Sequence, residues 1–231
     1  MQKGLIIAID GPSGVGKSTM ARMLAQKIGF IYIDTGAIYR AITWKALEKH
    51  INVKDSDSIL KMIRSTKIEY KQTTDWKKEE YRLYIDHEDI SQKIRGPRID
   101  LNVSDIAKLP EVRLELIELQ RSLAAKGSIV MEGRDIGSKI LANADLKFYF
   151  IASEEERIRR RYVELKRKGF KVGYEEVKTQ LINRDRIDSR RKVSPLKKAE
   201  DAIIIDSTHK NIKEVLSILL RHIQNYKKIG K

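Results

Sequence analysis

GPSGVGKS, residues 11 to 18, decides the fold because it matches the pattern G-x-x-x-x-G-K-S/T in full. The apolar run LIIAID precedes it and the helical pattern KSTMARMLAQKI follows it, as this pattern requires. Glycines let backbone N–H groups turn inward around a β-phosphate, and the start of the helix adds partial positive charge. The stretch therefore predicts a phosphate-binding loop for a nucleoside triphosphate with Mg²⁺.

Two side chains of this loop have separate expected roles. Lys17 bridges the β- and γ-phosphates, and Ser18 ligates Mg²⁺. The residues expected to bind ATP are Gly11, Pro12, Ser13, Gly14, Val15, Gly16, Lys17, Ser18 and Thr19. The loop does not reveal the acceptor of the γ-phosphoryl group, which is open here between water, a protein, a small metabolite and a nucleotide.

Five short apolar runs predict buried strands, and helical patterns separate most of them. The runs are LIIAID (5–10), FIYID (30–34), SIVME (128–132), LKFYFIA (146–152) and AIIID (202–206). Helical crossovers between strands favour a parallel sheet. We therefore predict an α/β fold, a five-stranded parallel sheet flanked by helices, as a single P-loop domain over residues 1–231.

The alternation of strands and helices breaks between Trp44 and Pro110. TKIEYKQTTDWKKEEYRLYIDHEDIS, residues 66–91, predicts an antiparallel hairpin because apolar and polar residues alternate in EYRLYID. Loop and helix patterns follow it. We interpret residues about 62–108 as a subdomain inserted into the α/β core.

Composition limits the classes of protein and partner. The chain has no cysteine, which excludes disulfides and cysteine zinc sites and suits the cytoplasm, and we expect neither a signal peptide nor a membrane span. Net charge is +15, and residues 154–198 hold 16 Lys and Arg against 8 Asp and Glu. The protein should therefore attract polyanions, either phosphorylated metabolites or nucleic acid.

Two strand ends carry candidate acceptor residues, since ligands collect at the carboxyl ends of strands in such sheets. In DTGAIYRA (34–41), Thr35 is expected to cap the next helix, and Tyr39 and Arg40 are expected to form an anion pocket in its first turn. The alternative is an ordinary N-cap followed by an arginine on the surface. MEGRDIG (131–137) places Arg134 and Asp135 after the third strand. Those two residues serve a substrate or form an ion pair within the loop.

Two charged helices follow the fourth strand. SEEERIRRR starts a segment, residues 153–173, that is either a solvated helix or a lid whose arginines, Arg157 among them, reach the transferring phosphoryl group. In RDRIDSRR, residues 184–191, helical spacing puts Arg184, Asp188 and Arg191 on one face. We interpret Asp185, Arg186 and Arg190 as the solvated remainder.

Taken together, these motifs resemble the bacterial cytidylate kinase family of nucleoside monophosphate kinases. The resemblance covers essentially the whole chain and rests on GPSGVGKST, DTGAIYRA, NVSDIAKLPEVR, MEGRDIG, SEEERIRRR and RDRIDSRRKVSPL, in that order. It implies the P-loop nucleoside monophosphate kinase fold, with a monophosphate-binding region at 36–108 and an arginine-rich lid at 153–173. The implied reaction uses ATP and Mg²⁺ to convert CMP or dCMP to CDP or dCDP.

The resemblance also implies roles for individual residues. The catalytic set is Lys17, Arg134, Arg157 and Arg191. The acceptor site comprises Thr35, Tyr39, Arg40, Ser104, Arg113, Arg134, Asp135, Arg184, Asp188 and Arg191. Of these, Ser104, Arg113 and Asp135 lie near cytosine, Arg184 and Asp188 near the pentose hydroxyls, and Arg40, Arg134 and Arg191 near phosphate.

Base chemistry independently supports one of these roles. Cytosine presents an N4 amine where uracil presents a carbonyl, and a carboxylate accepts from the amine but repels the carbonyl. We therefore expect Asp135 to contribute to discrimination of the base. No general base is required, because the accepting phosphate oxygen is already anionic.

Two rival interpretations remain. One is a P-loop kinase of another small acceptor, such as UMP and CMP, AMP or shikimate. The other is a basic P-loop protein that binds RNA, although residues 184–192 lack the aromatic platforms that single strands need. We expect a monomeric cytoplasmic enzyme whose partners are ATP, CMP and dCMP, with neither nucleic acid nor membrane.

Overall fold

The computed structural model describes residues 4–72, 81–125 and 127–228. Its helices are α1 (Lys17–Ile28), α2 (Thr35–Glu48), α3 (Ser56–Arg64), α4 (Pro97–Ala107), α5 (Pro110–Ala124), α6 (Glu154–Arg167), α7 (Tyr174–Arg190) and α8 (Ile212–Lys228). Its strands are β1 (Ile6–Asp10), β2 (Ile31–Asp34), β3 (Ile68–Gln72), β4 (Tyr81–Ile85), β5 (Glu88–Asp89), β6 (Ile129–Gly133), β7 (Leu146–Ile151) and β8 (Ile203–Asp206). A π-helical turn, Ile136–Ile140, follows β6.

The described residues form two compact units. The first, called the sheet unit, contains residues 4–32, 127–190 and 194–228. The second, called the insert unit, contains residues 33–72, 81–125 and 191–193. The described residues of the predicted subdomain, 62–72 and 81–108, belong to the insert unit, which also contains helices before and after them.

The large sheet has the strand order β2-β6-β1-β7-β8. β1 pairs in parallel with β6 and β7, and β7 pairs in parallel with β8. Fully buried side chains such as Ile9 and Phe148 in the strands pack with Leu24 of α1 and Leu219 of α8. All five predicted strands are present, and the prediction of a five-stranded parallel sheet flanked by helices is confirmed.

The insert unit combines four helices with a small antiparallel sheet. Its strands have the order β3-β4-β5, and β3 pairs antiparallel with β4. This confirms the paired strands of the predicted hairpin, while its turn at 73–80 lies outside the described residues. Buried apolar residues of α2, α3, α4 and α5, such as Ile42, Ile59 and Leu116, form the core.

Within residues 4–72, 81–125 and 127–228, none of the helices combines the length and the apolarity needed to cross a membrane.

Candidate active site

The phosphate-binding loop turns tightly between β1 and α1. Gly16 has a φ of 89°, in the left-handed region where glycine carries no steric penalty. At Gly14, φ is 78° and an added Cβ would lie 2.8 Å from the backbone oxygen of Arg157. Lys17 is 5% exposed and its Nζ donates to the Pro12 carbonyl oxygen at 2.6 Å. A side chain at Gly14 or Gly16 would therefore strain the backbone, and at Gly14 it would also collide with the backbone of α6.

Lys17 lies in a crowded, buried environment. Burial, and then the charge of Arg134, lowers the pKa of the Lys17 ammonium from 10.5 to about 7, against the opposing effects of Glu132, Asp185 and Asp10. A buried lysine beside a partly buried arginine favours a bound anion, because added negative charge stabilises both cations. The electrostatics of the loop therefore suit a phosphate ligand.

All three polar groups of Ser13 in the loop are hydrogen-bonded within the sheet unit. The backbone N–H donates to Asp185 Oδ1 at 3.0 Å. The carbonyl oxygen accepts from Arg157 Nη1 at 3.1 Å, and the hydroxyl oxygen accepts from Arg134 Nη2 at 2.9 Å. Arg157 and Asp185 also form an ion pair. These bonds connect the loop to α6, to α7 and to the segment after β6.

Asp10 positions the segment that carries Arg134 and Asp135. The register of β1 against β6 places Asp10 opposite Gly133. The Asp10 carboxylate then accepts from the backbone N–H of Ile136 at 2.9 Å and of Gly137 at 2.8 Å. Burial raises the pKa of Asp10 to about 6 although both hydrogen bonds favour the ionised form. In the sequence, Asp10 stands out only as the last residue of a predicted strand.

Helix α7 contributes two aspartates rather than one. Asp188 is 5% exposed and accepts from Arg134 Nε at 2.9 Å. The interpretation of Asp185 as solvated is wrong, since its side chain is only 16% exposed and it binds Ser13 and Arg157. Three residues span about 300° of an α-helix, so Asp185 lies about 60° from Asp188 and shares its side of the helix.

Other charges of α7 follow the prediction. Arg186 and Arg190 are exposed, and Arg186 Nη2 contacts only a neighbour on the same helix, Asn183 Oδ1, at 3.2 Å among the contacts of the described residues. Arg184 is half-buried. The helix therefore has a charged inner side and a solvated outer side.

The arginines of α6 have different partners. Arg157 is 9% exposed and engages the phosphate-binding loop, as described above. Arg160 Nη2 donates to the Ser207 carbonyl oxygen at 2.6 Å, and Arg161 Nη1 donates to Glu164 at 2.7 Å. Arg157 contacts Ser13 and Asp185, and Arg160 also reaches the loop, where its Nη1 donates to the Val15 carbonyl oxygen at 3.4 Å.

In the insert unit, Asp34 organises the start of α2. Its Oδ1 accepts from the backbone N–H of Ala37 at 2.9 Å, so Asp34 is the cap and the prediction that Thr35 caps this helix is wrong. Thr35 is instead the first helical residue and is 4% exposed. Arg40 Nη2 donates to Asp34 Oδ2 at 2.8 Å, and Tyr70 Oη donates to the Asp34 carbonyl oxygen at 2.5 Å.

The insert unit also holds Ser104 and Arg113, two of the three residues that the resemblance places near the base, and Tyr39 of the expected acceptor site. Tyr39, Ser104 and Arg113 are 7%, 8% and 1% exposed, so all three are polar side chains in the interior of this unit. The Arg113 guanidinium lies 5.3 Å from the centre of the Tyr39 ring, a cation–π contact. Arg191, also assigned to the insert unit, is 9% exposed.

The structure therefore assembles the predicted residues as two groups, one in each unit. In the sheet unit, Ser13, Arg134, Arg157 and Asp188 share hydrogen bonds, and Asp135 is buried at the start of the π-helical turn. Sequence reasoning missed Asp10, Asp185 and Asp34, whose carboxylates position the segments around them. An aspartate at the carboxyl end of a buried strand was a usable signal for Asp10 and Asp34.

Comparisons with known proteins relate most of this chain to one family. A family model described as cytidylate kinase matches residues 7–225. The chain is 44% identical over 224 residues to a cytidylate kinase of Bacillus subtilis strain 168, covering 97% of this chain and 98% of that protein. It is 45% identical over 217 residues to a cytidylate kinase of Carboxydothermus hydrogenoformans, covering 94% and 96%. An uncharacterised protein from Eubacterium ventriosum, 15% identical, has a similar fold, with a TM-score of 0.51 over 96% of this chain and 99% of that one.

Proposed function

The chain belongs to the cytidylate kinase family, and on this basis we propose that it transfers the γ-phosphoryl group of ATP to CMP or dCMP. The products are ADP and CDP or dCDP, as part of pyrimidine nucleotide metabolism. The observation that carries the proposal is the 2.9 Å hydrogen bond from Arg134 to Ser13. It joins the segment expected to hold the acceptor phosphate to the loop expected to hold the donor triphosphate.

The donor half of the site comprises the residues Gly11 to Thr19. Backbone N–H groups of the loop and the start of α1 bind the phosphates, and Lys17 bridges the β- and γ-phosphates. Mg²⁺ takes few protein ligands and several oxygens from phosphate and water. Ser18 is an exposed residue in the first turn of α1, and its side chain carries one hydroxyl oxygen that fits that requirement. Mg²⁺ held there would neutralise charge on the triphosphate.

The acceptor half uses the residues that the family resemblance implies. Arg40, Arg134 and Arg191 bind the phosphate of CMP, while Arg184 and Asp188 bind the pentose. Thr35, Tyr39, Ser104, Arg113 and Asp135 form the remainder of the acceptor site. The chemistry of these side chains supports the assignment, because the set supplies cations for a phosphate and a buried carboxylate for the cytosine amine.

Phosphoryl transfer then needs positioning and charge neutralisation. An oxygen of the CMP phosphate forms the new bond to the γ-phosphorus, and the bond to the bridging oxygen of ADP breaks. Lys17, Arg134, Arg157 and Arg191 stabilise the charge that spreads over the transferring group. The accepting oxygen is anionic at neutral pH, so no side chain has to remove a proton.

A panel of acceptors tests the proposal. ADP release from ATP is measured with CMP, dCMP, UMP, AMP, dTMP and shikimate at equal concentrations, with K17A as the inactive control. We expect turnover with CMP and dCMP far above the others. Absence of turnover with CMP would refute the proposal, and preference for AMP or shikimate would identify another small-acceptor kinase.

A second measurement separates this function from RNA binding. A basic RNA-binding protein would bind RNA more tightly than any mononucleotide, with strong dependence on salt. We expect the opposite order of affinities.

We also infer a cytoplasmic location, which suits a chain without cysteine, and a monomeric state, which sedimentation in the presence and absence of CMP would test.

A further inference from the structure

The carbonyl oxygen of Val15, within the phosphate-binding loop, is bonded to two side chains from outside the loop. It accepts from the hydroxyl of Ser207 at 3.0 Å and from Arg160 Nη1 at 3.4 Å. Ser207 directly follows β8, and Arg160 lies in α6. These donors are 192 and 145 positions away from Val15 along the chain. The loop carbonyl is therefore fixed by two elements that are distant from it in sequence.

Ser207 is itself held in one position. It is 3% exposed, and its backbone N–H donates to the Ile151 carbonyl oxygen at 2.9 Å. Arg160 Nη1 donates to the Ser207 hydroxyl oxygen at 3.0 Å, and Nη2 donates to the Ser207 carbonyl oxygen at 2.6 Å. The hydroxyl also lies 3.2 Å from the Ile151 carbonyl oxygen, which already accepts from the N–H. The nearer oxygen of Val15 is therefore the better acceptor for the hydroxyl proton.

The geometry of the peptide bond turns this contact into a constraint on Gly16. The carbonyl of Val15 and the N–H of Gly16 belong to one peptide unit. A peptide unit is planar and trans, so its C=O and N–H point in opposite directions. The described residues contain no cis peptide bond. Holding the oxygen on Ser207 therefore points the N–H of Gly16 away from Ser207.

The N–H of Gly16 has the properties of a phosphate donor. Gly16 is the N-cap of α1, so its N–H lies at the positive end of the helix. Within residues 4–72, 81–125 and 127–228, this N–H has no hydrogen-bond partner, whereas the N–H of Ser13 donates to Asp185. A backbone N–H at the start of a helix is a good donor to a phosphate oxygen. The direction of this N–H therefore affects how the loop binds phosphate.

We propose that Ser207, supported by Arg160, is a positioning residue that aims the N–H of Gly16 at the β-phosphate of the donor nucleotide. The inference rests on the part of the proposed function that places the donor on this loop. Glycine allows a wide range of φ, so the peptide unit before Gly16 can rotate once its oxygen is released. The hydroxyl of Ser207 supplies the restraint that the backbone of Gly16 lacks.

Two pairs of variants isolate the hydroxyl and the guanidinium. S207T and S207V have side chains of nearly the same shape at this buried site, and they differ by the hydroxyl. R160A is matched by R159A, since the side chain of Arg159 is 60% exposed and pairs with Glu156, as Arg160 does. Calorimetry measures the affinity of each protein for ADP, for inorganic tripolyphosphate and for CMP. Thermal unfolding checks that each variant retains the fold.

We expect S207V to bind both ADP and tripolyphosphate roughly two- to tenfold more weakly than S207T, the range for one neutral hydrogen bond, with CMP affinity unchanged. R160A should lose at least as much relative to R159A. In NMR spectra, the amide proton of Gly16 should move downfield when ADP binds S207T and should move less in S207V.

Equal affinities of S207T and S207V for ADP would overturn the role of Ser207. A loss for ADP that tripolyphosphate does not share would also overturn it, because the hydroxyl would then act on the nucleoside. Equal effects of R160A and R159A would remove Arg160 from the assignment. If the wild type binds neither ADP nor tripolyphosphate, the proposed function and this inference both fail. If it binds both but does not phosphorylate CMP, the proposed function fails and the positioning role of Ser207 stands.

Discussion

The carboxylate of Asp185 accepts a hydrogen bond from the backbone N–H of Ser13 at 3.0 Å, across 172 positions of the chain. Asp185 also pairs with Arg157, whose Nη1 donates to the carbonyl oxygen of Ser13. The side chains of Asp185 and Arg157 are 16% and 11% exposed, so water screens the pair weakly. Asp185 thereby positions both the phosphate-binding loop and an arginine expected to act in catalysis.

We predict that D185A lowers the free energy of unfolding by about 3 kcal/mol, because it leaves the buried charge of Arg157 without this partner. D185N should lower the free energy of unfolding by less, because its amide oxygen still accepts from the backbone N–H of Ser13. Urea unfolding measures both effects, and steady-state kinetics should show a raised KM for ATP with a lowered kcat.

The matched control is E175A, which removes an acidic side chain of the same helix that is 79% exposed. Its unfolding free energy should stay within about 0.5 kcal/mol of wild type. If D185A behaves like E175A in stability and kinetics, Asp185 does not position the loop.

Fold and site differ in how far local sequence determines them. The five strands were predictable because each is a short apolar run, and α1 because the loop motif requires a helix after it. The N-cap residue of α2 was not predictable, because Asp34 and Thr35 are adjacent and both residue types cap helices. Only the tertiary structure selects Asp34, whose carboxylate also binds Arg40.

The partners of Asp10, Asp185 and Arg95 depend on contacts distant in the chain. Helical periodicity places Asp185 beside the face of Asp188 but does not say which element covers it. Arg95 belongs to no motif, and its contact with Asp34 arises from packing across 61 positions. The sequence shows the charged group of each of these residues, but it does not show which group that charge contacts.

Asp188 and Arg186 form a pair of contrasting variants on α7. Asp188 is buried against Arg134, and Arg186 is exposed. We predict that D188A lowers kcat/KM for CMP roughly ten- to a hundredfold, the cost of losing hydrogen bonds to a charged group, and that R186A changes it by less than about twofold. Kinetics with CMP at saturating ATP measure both. Equal effects of the two substitutions would contradict the assignment of Asp188 to the acceptor.

Asp135 provides the prediction for base selectivity. The residue is 4% exposed, so a uracil carbonyl facing its carboxylate would meet a repulsive, poorly hydrated contact. We predict that D135A lowers the ratio of kcat/KM for CMP to that for UMP roughly tenfold or more. D135N should retain part of the selectivity, because its oxygen still accepts from the N4 amine. An unchanged ratio in D135A would exclude Asp135 from base discrimination.

From the raised pKa of Asp10 we predict that the stability of the fold depends on pH. Burial raises the pKa of Asp10 from 3.8 to about 6 in the folded protein, with Asp135 nearby acting in the same direction and Lys17 in the opposite one. Between these two values the folded protein binds a proton that the unfolded chain has released. The stability contributed by this proton is fully present below about pH 4 and is lost as pH rises to about 6.

The measurement compares wild type with D10N, because ionisations common to both proteins cancel in the difference. The unfolding free energy of wild type minus that of D10N should fall by about 3 kcal/mol between pH 4 and pH 6.5 and then level off, since each unit of pKa difference corresponds to about 1.4 kcal/mol. Carbon-13 shifts of the Asp10 carboxyl locate its titration directly. A difference that rises with pH would show that the two hydrogen bonds from Ile136 and Gly137 outweigh burial, and that Asp10 is held as a carboxylate throughout this range.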